Sequence, residues 1–432
     1  MQHFSAEQVR TDLLNTIDSL FAHRDDFLVN PLSDFTRTKK ISFNQTMLFP
    51  MIAGSDNVAT ELLDFFGEEK LPLPSAMTQR RNQVKPEAFR ELFFLFTNRF
   101  PVQKTFHGYQ LVACDGSRLN LPYNPSDPDS FIRCISGRKG INQMHLNSLY
   151  DLLNDIFLDV ELQGIRQMDE KGAFTRFLDK NAQSDRKRIY IADRGYASYN
   201  ILAHAIHNGQ LFLVRIPESF AEHLCSRENW LEGSNRDEVI SIHIGRRRSR
   251  KLLQLENYHC IPASRHYDFL EAGSCETDCL QLRVLKFPVS EDTFEYIVTN
   301  LPAYGFSLTT IKELYNLRWN HETAYRHLKY AGNMVHIHSL KKNFLIQEIF
   351  GKLTLYNFSS LIAAAVGNIQ KITDKYTYVL NHTQVQKACI RFLRGIIHDI
   401  SALLRKFLVP VRPGRRFERN LRRQSADTLT YR

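Results

Sequence analysis

The chain has 432 residues, of which 43% are hydrophobic and 24% are charged. This composition is typical of a globular protein with a sizeable core, and it excludes global disorder. Lysine and arginine outnumber aspartate and glutamate by 56 to 46, and the resulting net charge of +10 favours a polyanionic partner.

Residues 1–105 are predicted to be helical, because serines at N-cap positions precede apolar runs and Pro86 stands where a first helical turn tolerates proline. Within this region, residues 75–84 form a short predicted helix that carries Arg80 and Arg81. Two interpretations stay open. The helix is either the second helix of a helix-turn-helix, placed in a major groove, or a basic surface helix of a plain bundle.

From Tyr109 onward the pattern changes to strands. The segment YQLVACD is a predicted strand that ends at Asp115, and residues 145–162 are predicted to form two strands around a tight turn. A helix, the strand RIYIAD ending at Asp193, a second helix and the strand LFLVRI follow. Three strands followed by helix, strand, helix and strand predict a mixed α/β sheet.

The second half of the chain starts with an interruption. Residues 217–294 are polar with short alternating segments, which predicts an inserted β-rich subdomain, and the basic run 246–251 lies within it. That run is either a solvated face or a set of phosphate contacts. Residues 351–432 are predicted to be a helical C-terminal region with a basic tail. The uncharged stretch 353–370 contains polar interruptions, so it is predicted to be a buried helix and not a membrane span.

Two acids stand out because each follows an apolar strand and precedes or closely precedes a glycine. Asp115 begins the sequence DGS, and Asp193 begins the sequence DRGY. Phosphodiester chemistry with two divalent metals requires carboxylates that converge from separate elements. Taken singly, each aspartate is better explained as an ordinary turn or cap residue.

A third acid lies in the segment YNLRWNHETAYRHLK, residues 315–329, which is predicted to be an amphipathic helix. At about 100° per residue, Tyr315, Arg318, Glu322 and Lys329 share one polar stripe, while leucines and an alanine gather on another arc. The Arg318–Glu322 pair alone would also be ordinary on a solvated helix. A carboxylate flanked by two cations and an aromatic ring nevertheless suits a site where a metal and a phosphate meet.

The spacing Y-x2-R-x3-E-x6-K, together with DGS and DRGY, resembles the pattern of DDE transposases in the bacterial insertion-sequence-four family. The resemblance implies an α/β fold with an RNase-H-like catalytic core at residues 106–216 and 295–350. The core would be interrupted by the insertion at 217–294 and flanked by a helical N-terminal DNA-binding region and a helical C-terminal region. Members of this family carry such a β-strand insertion between the second aspartate and the glutamate.

The same resemblance implies a function. The chain would be a cut-and-paste DNA transposase that cleaves insertion-sequence ends and transfers strands, with a hairpin intermediate. Asp115, Asp193 and Glu322 would be its catalytic acids and would bind two Mg²⁺ ions, for which Mn²⁺ can substitute.

The resemblance also assigns DNA contacts. Tyr315, Arg318 and Lys329 would hold phosphates of the transposon end, and Arg194 would do the same beside the second aspartate. Trp319 would help to hold an unstacked base, although a place at the edge of the helix core explains this residue equally well.

The implied partners are double-stranded DNA, as terminal inverted repeats and target, and a second copy of the chain in a homodimeric DNA complex. No signal peptide precedes the polar start, the seven cysteines are scattered, and no membrane partner is expected, so a cytoplasmic, nucleoid-associated bacterial protein is predicted. Two alternatives remain: an inactive or domesticated DNA-binding relative, and an RNase-H-fold nuclease without strand transfer.

Overall fold

The structure is a computed structural model that describes residues 4–37, 40–133, 139–225, 235–290, 293–367, 371–372 and 377–411, so most of the predicted basic tail lies outside the described residues. The helices are α1 Ala6–Ala22, α2 Arg24–Phe27, α3 Phe43–Ile52, α4 Val58–Phe66, α5 Pro74–Gln83, α6 Pro86–Asn98, α7 Glu170–Lys180, α8 Tyr199–His207, α9 Glu218–Leu224, α10 Leu308–Asn316, α11 Trp319–Arg326, α12 Lys342–Val366, α13 His382–Leu393 and α14 Ile400–Leu404. The strands are β1 Gln110–Leu121, β2 Phe131–Ile132, β3 Ile141–Asp151, β4 Ile156–Gly164, β5 Arg188–Ala192, β6 Leu211–Ile216, β7 Arg236–Gly245, β8 Tyr258–Cys260, β9 Thr277–Ser290, β10 Thr293–Thr299, β11 Lys371–Ile372, β12 Thr377–Leu380 and β13 Leu408–Val411.

A ten-stranded mixed sheet organises the molecule. Its strand order is β4-β3-β1-β5-β6-β10-β9-β7-β8, with the short β2 beside the start of β3. The strands β4, β3 and β1 are antiparallel to one another, whereas β5 is parallel to β1 and β6 is parallel to β5. The predicted α/β class and the predicted order of these elements are therefore confirmed.

The first strand is longer than predicted. Its parallel pairing with β5 stops at Cys114, which lies opposite Ala192, but its antiparallel pairing with β3 continues from Val112 to Leu121. The expectation that the strand ends at Asp115 was wrong, because β3 continues to supply hydrogen-bonding partners on the other side. Asp115 is the first residue of β1 beyond its pairing with β5, where β1 keeps β3 as its neighbour.

Strands of the predicted insertion extend the same sheet. β9 pairs with β10 and β7 pairs with β9, both antiparallel. The buried Arg283 of β9 binds Asp237 of β7 through two contacts of 2.6 Å, and its Nη1 also donates to the carbonyls of Leu301 and Phe306 at 3.2 and 2.9 Å. The insertion is thereby fixed to the segment that leads into α10.

Apolar residues cover both faces of the sheet. Helices α7 and α8 pack on one face, around Phe174, Phe177 and Leu202. The other face carries a larger core to which the N-terminal helices, α10–α12 and the C-terminal helices all contribute. Among the described residues, the helix Lys342–Val366 is long and apolar enough to cross a membrane, but 72% of its apolar window is buried inside the protein. The predicted buried helix is confirmed as far as Val366.

The two arginines of α5 are not on the surface. Arg81 donates from Nη1 and Nη2 to Glu348 at 3.1 Å and from Nε to Gln347 at 3.0 Å, and its guanidinium lies 4.3 Å from the Phe344 ring. Arg80 lies 4.4 Å over the Phe35 ring. Because both arginines are buried, the interpretation of this helix as a basic surface helix was wrong, while the helix-turn-helix interpretation stays a prediction.

This buried ion pair generates a stability prediction. Replacing Arg81 with alanine leaves Glu348 buried without its counter-charge, so we expect a loss of about 3–5 kcal/mol of unfolding free energy. Lys342→Ala removes the exposed pair with Asp129 and should cost less than about 1 kcal/mol. Urea denaturation of both variants measures the difference. Equal losses would show that the buried pair has no special role.

Candidate active site

Two of the predicted acids come together because β1 and β5 are parallel neighbours. The last pair in their register joins Cys114 to Ala192, and Asp115 and Asp193 are the next residues on the two strands. Carboxyl ends of adjacent parallel strands meet at one edge of a sheet, so both carboxylates stand at the same edge. Tight apolar packing of the strands, including Ala113 and Ile191, fixes this register.

Each aspartate is oriented by a backbone amide. Asp115 Oδ1 accepts a hydrogen bond from the Gly116 N–H at 2.8 Å, and Asp193 Oδ1 accepts one from the Gly195 N–H at 2.8 Å. Gly116 is required for space, since a Cβ there would lie 2.4 Å from Nε2 of the buried His145. The glycines of both motifs therefore have local structural roles beside the acids.

The signature segment is not one regular helix. Helix α10 ends at Asn316, and i→i−3 hydrogen bonds tighten the chain around Arg318 before α11 starts at Trp319. After α11 the backbone widens into a π-helical turn, His327–Ala331. A wheel at constant angular steps therefore misplaces side chains across this segment. Departures from α-helical geometry of this kind are frequent at functional sites.

Glu322 lies in the first turn of α11 and is paired with Arg318. Arg318 Nη2 donates to Glu322 Oε1 at 3.0 Å, and the guanidinium lies 5.0 Å from the Trp319 ring. The side chain of Arg318 is only 6% exposed, whereas that of Glu322 is 32% exposed. The Arg318–Glu322 pair is therefore partly buried and forms part of the site, unlike an ordinary ion pair on a solvated helix surface.

The carboxylates of Asp193 and Glu322 both act on the charge of Asp115. The pKa of Asp115 is raised from 3.8 to about 7, mainly by burial and further by the negative charges of Asp193 and Glu322. The Gly116 N–H and the charge of Arg318 act in the opposite direction. Mutual repulsion between the carboxylates is therefore only partly compensated by the protein's own groups.

This donor set fits a hard divalent cation such as Mg²⁺, which prefers carboxylate oxygens and keeps several waters, so that few protein ligands suffice. In the described part of the chain, no three His, Cys, Asp or Glu side chains close tightly enough to enclose an ion. One oxygen of each acid is instead held by a local donor, namely Gly116, Gly195 or Arg318.

The predicted DNA contacts differ in accessibility. Tyr315 is 2% exposed and Arg318 is 5% exposed, so neither can meet a phosphate without a local rearrangement. Lys329 is partly buried, and burial lowers its pKa although the nearby charge of Asp115 opposes this. Trp319 is 44% exposed, and Arg194 is exposed beside Asp193. Trp319 is therefore not a buried core residue, its place at the edge of the helix core stays open, and the DNA roles of all five residues stay predictions.

Exposed cations continue from Asp193 toward the insertion. Arg194 follows it directly, and Lys171 donates from Nζ to the Ala197 carbonyl at 3.1 Å. Burial lowers the pKa of Lys171, and repulsion from Arg265 lowers it further, so these two cations are neighbours.

The basic run 246–251 adjoins this position. Arg246 Nη1 donates to the carbonyls of Pro262 and Arg265 at 3.2 and 2.8 Å. The other cations of the run are exposed, and the described residues place no carboxylate within 4.0 Å of them. They are Arg247, Arg248, Arg250 and Lys251. Together with Arg265, Lys171 and Arg194, they are a set of exposed cations on the insertion and beside the second aspartate, which we call the basic surface.

Comparison with known families decides what kind of protein carries these acids. Residues 106–358 match the family described as the transposase DDE domain. The chain belongs to the DDE-domain transposase family. No sequence among the curated proteins matches this transposase. Among solved structures it is similar to the piggyBac transposase in a cryo-EM structure of its synaptic complex with hairpin DNA, with 9% identity, a TM-score of 0.46, and coverage of 90% of this chain and 80% of that chain.

Sequence analysis of the transposase missed several buried polar residues beside its acids. His321 and Tyr325 flank Glu322, and both contact Ser148 of β3. His145 lies 3.1 Å from Glu170 at the start of α7. The sequence did contain a signal for these buried contacts, because residues 321 and 325 are four apart and share one helix face. A histidine on the core side of an amphipathic helix marks a buried polar contact.

The raised pKa of Asp115 predicts a pH-dependent stability effect. The native state binds this proton more tightly than the unfolded chain does, so stability falls as pH rises from about 4 through about 7. Asp115→Asn mimics the neutral acid. Thermal melts of the transposase in EDTA should show the variant several degrees more stable than the parent at pH 8, with no difference at pH 4.

The exposed Asp185 provides a control for this measurement. Asp185→Asn should leave the melting temperature unchanged at both pH values, since that carboxylate is solvated. If Asp115→Asn were neutral or destabilising at pH 8, the carboxylates would not repel one another as described.

Proposed function

We propose that this protein is a cut-and-paste DNA transposase of the insertion-sequence-four type, with an RNase-H-like core. The observation that carries the proposal is geometric: the β1–β5 register sets Asp115 beside Asp193, and Tyr325 joins the helix of Glu322 to Asp115, within a matched DDE domain. The strand order β4-β3-β1-β5-β6, three antiparallel strands followed by two parallel ones, supports the RNase-H-like assignment.

Asp115, Asp193 and Glu322 would hold two Mg²⁺ ions, or Mn²⁺ in their place. When bound, these ions supply the positive charge that activates the attacking oxygen and stabilises the leaving one. The protein's contribution is orientation: backbone amides aim the aspartates, and Arg318 holds Glu322. No side chain forms a covalent intermediate with DNA in this scheme.

The proposed reaction consists of successive displacements at phosphorus. Water attacks the phosphodiester at a transposon end and frees a 3′ hydroxyl. That hydroxyl attacks the opposite strand to form a hairpin, which water reopens before the 3′ hydroxyl attacks target DNA. Lys329 and Arg194 would bind phosphates near the acids, since charge-assisted contacts of this kind position a DNA backbone. Arg318 would join them after the local rearrangement that its burial and that of Tyr315 require. Tyr315 would assist them, and Trp319 would offer a stacking surface to an unpaired base.

We further propose that the chain acts as a homodimer on paired DNA ends in the bacterial cytoplasm. Two ends must be held together for insertion, and a twofold arrangement provides two active sites. The short inverted repeats expected beside the coding region, flanked by direct duplications, would identify the ends.

The carboxylate of Glu322 generates the central prediction. Glu322→Gln keeps the size of the side chain and removes its charge, so we expect intact binding to the ends and a loss of excision by at least about a hundredfold. The assay uses a donor plasmid that carries the coding region with its own flanking DNA, in the presence of Mg²⁺. Glu313→Gln, an exposed glutamate of α10, is the matched control and should excise normally.

The outcomes separate the competing functions. Undiminished excision by Glu322→Gln would refute the assigned role. Nicking by the parent without joining of the 3′ end to target DNA would identify a nuclease. Binding without any cleavage by the parent would identify an inactive DNA-binding relative.

The basic surface generates a second functional prediction. Arg248→Ala combined with Arg250→Ala should weaken binding to any duplex and lower the salt dependence, log K against log[salt], by about 2 units if both contact phosphates. Arg186→Ala combined with Lys187→Ala removes two exposed cations at the opposite end of β5. Salt titrations of both double variants should show a reduced slope only for the first, and equal slopes would exclude the surface as a DNA contact.

A further inference from the structure

A chain of buried hydrogen bonds connects the backbone of Asp115 to the helix that carries Glu322. His321 Nε2 lies 2.9 Å from Ser148 Oγ, which lies 2.8 Å from the Tyr325 hydroxyl. The Tyr325 hydroxyl in turn donates to the main-chain carbonyl of Asp115 at 2.8 Å. His321 directly precedes Glu322 in α11, so the chain runs from one acid's helix to the other acid's strand.

Counting protons gives this chain a single direction. A carbonyl oxygen can only accept a hydrogen bond, so the Tyr325 hydroxyl uses its one proton to donate to the main-chain carbonyl of Asp115. Ser148 must then donate to Tyr325, and its oxygen must accept from Nε2–H of His321. Every link is thereby fixed, and the His321 tautomer is determined. Burial, aided by the nearby Arg318, lowers the pKa of His321 to about 3, which agrees with a neutral ring.

The surroundings hold these groups rigidly. The His321 ring is fully buried and is stacked between Tyr325, at 4.6 Å, and Tyr150, at 5.0 Å between ring centroids. Ser148 lies directly opposite Asp115 in the β1–β3 register, where facing side chains are close neighbours. A shift of α11 along the sheet would break the links together, since all of them cross between α11 and the strands.

We propose that Ser148, His321 and Tyr325 are positioning residues that set the separation between Asp115 and Glu322 and so the affinity of the site for divalent metal. The signature motif includes none of these three positions. The proposal rests on the proposed function, because it assigns the metal to the acids. Its mechanism is distinct: the three residues act through the backbone of Asp115 and the orientation of α11, and they touch neither metal nor DNA.

Two tyrosines provide a matched test. Tyr325→Phe deletes only the hydroxyl that binds Asp115. Tyr150→Phe deletes a buried hydroxyl on the other side of the same stack, which binds Tyr356 at 3.0 Å and Asp155 at 3.2 Å. Mn²⁺ alone is titrated into the purified full chain and followed by loss of the free-ion EPR signal. We expect Tyr325→Phe to weaken Mn²⁺ binding by about tenfold or more and Tyr150→Phe to leave it unchanged.

A histidine series completes the experiment. His321→Gln retains a donor for Ser148 and should keep most of the Mn²⁺ affinity, whereas His321→Leu should lose about as much as Tyr325→Phe. Equal Mn²⁺ affinity in Tyr325→Phe and Tyr150→Phe, whatever their melting temperatures, would overturn the proposal. Glu322→Gln separates failure of the metal assignment from failure of the positioning role. If Glu322→Gln also binds Mn²⁺ like the parent, the metal assignment has failed. If Mn²⁺ binding is weakened in Glu322→Gln but not in Tyr325→Phe, only the positioning role has failed.

Discussion

The parallel pairing of β1 with β5 is the constraint on which the site depends. Because Cys114 lies opposite Ala192, the residues that follow on the two strands emerge side by side at one edge of the sheet. A slip of one residue would reverse the face on which each side chain of β1 lies. The apolar side chains buried on both faces of these strands oppose such a slip, so the core of the protein fixes the distance between two acids.

Much of this arrangement could be predicted from the sequence, for identifiable reasons. Apolar runs that end in Asp115 and Asp193 indicate strands with acids after them. The spacing around Glu322 pointed to a DDE transposase, and the match of residues 106–358 shows that broader family. The extent of β1 could not be predicted, since it depends on partners supplied by β3. The tightened turn at Arg318 and the π turn at Lys329 were also hidden, because they result from tertiary contacts that override regular periodicity. The burial of Arg81 could not be predicted for a related reason: its counter-charge, Glu348, lies far along the chain.

The three acids are held in an arrangement that is destabilised by repulsion between their carboxylates. Asp115 is partly buried near two other carboxylates, and the charges of Arg318 and Lys329 oppose their repulsion only in part. Functional sites commonly carry such local destabilisation while the surrounding structure maintains them. Here the surroundings include a hydrogen-bonded scaffold between α11 and β3 and a stack of aromatic rings. The proposed metal ions would supply the positive charge that balances these carboxylates.

Helix α12 affects how the whole chain is built. Its apolar surface is enclosed on nearly every side: α3 and α6 from the beginning of the chain, β4 from the sheet and α13 from the end all pack against it. Because α12 contacts helices from both ends of the chain and a strand of the sheet, these parts of the protein share one core. During synthesis on the ribosome, α3 and α6 can pack against α1 early, but the faces that contact α12 stay uncovered until residues beyond 340 have been made.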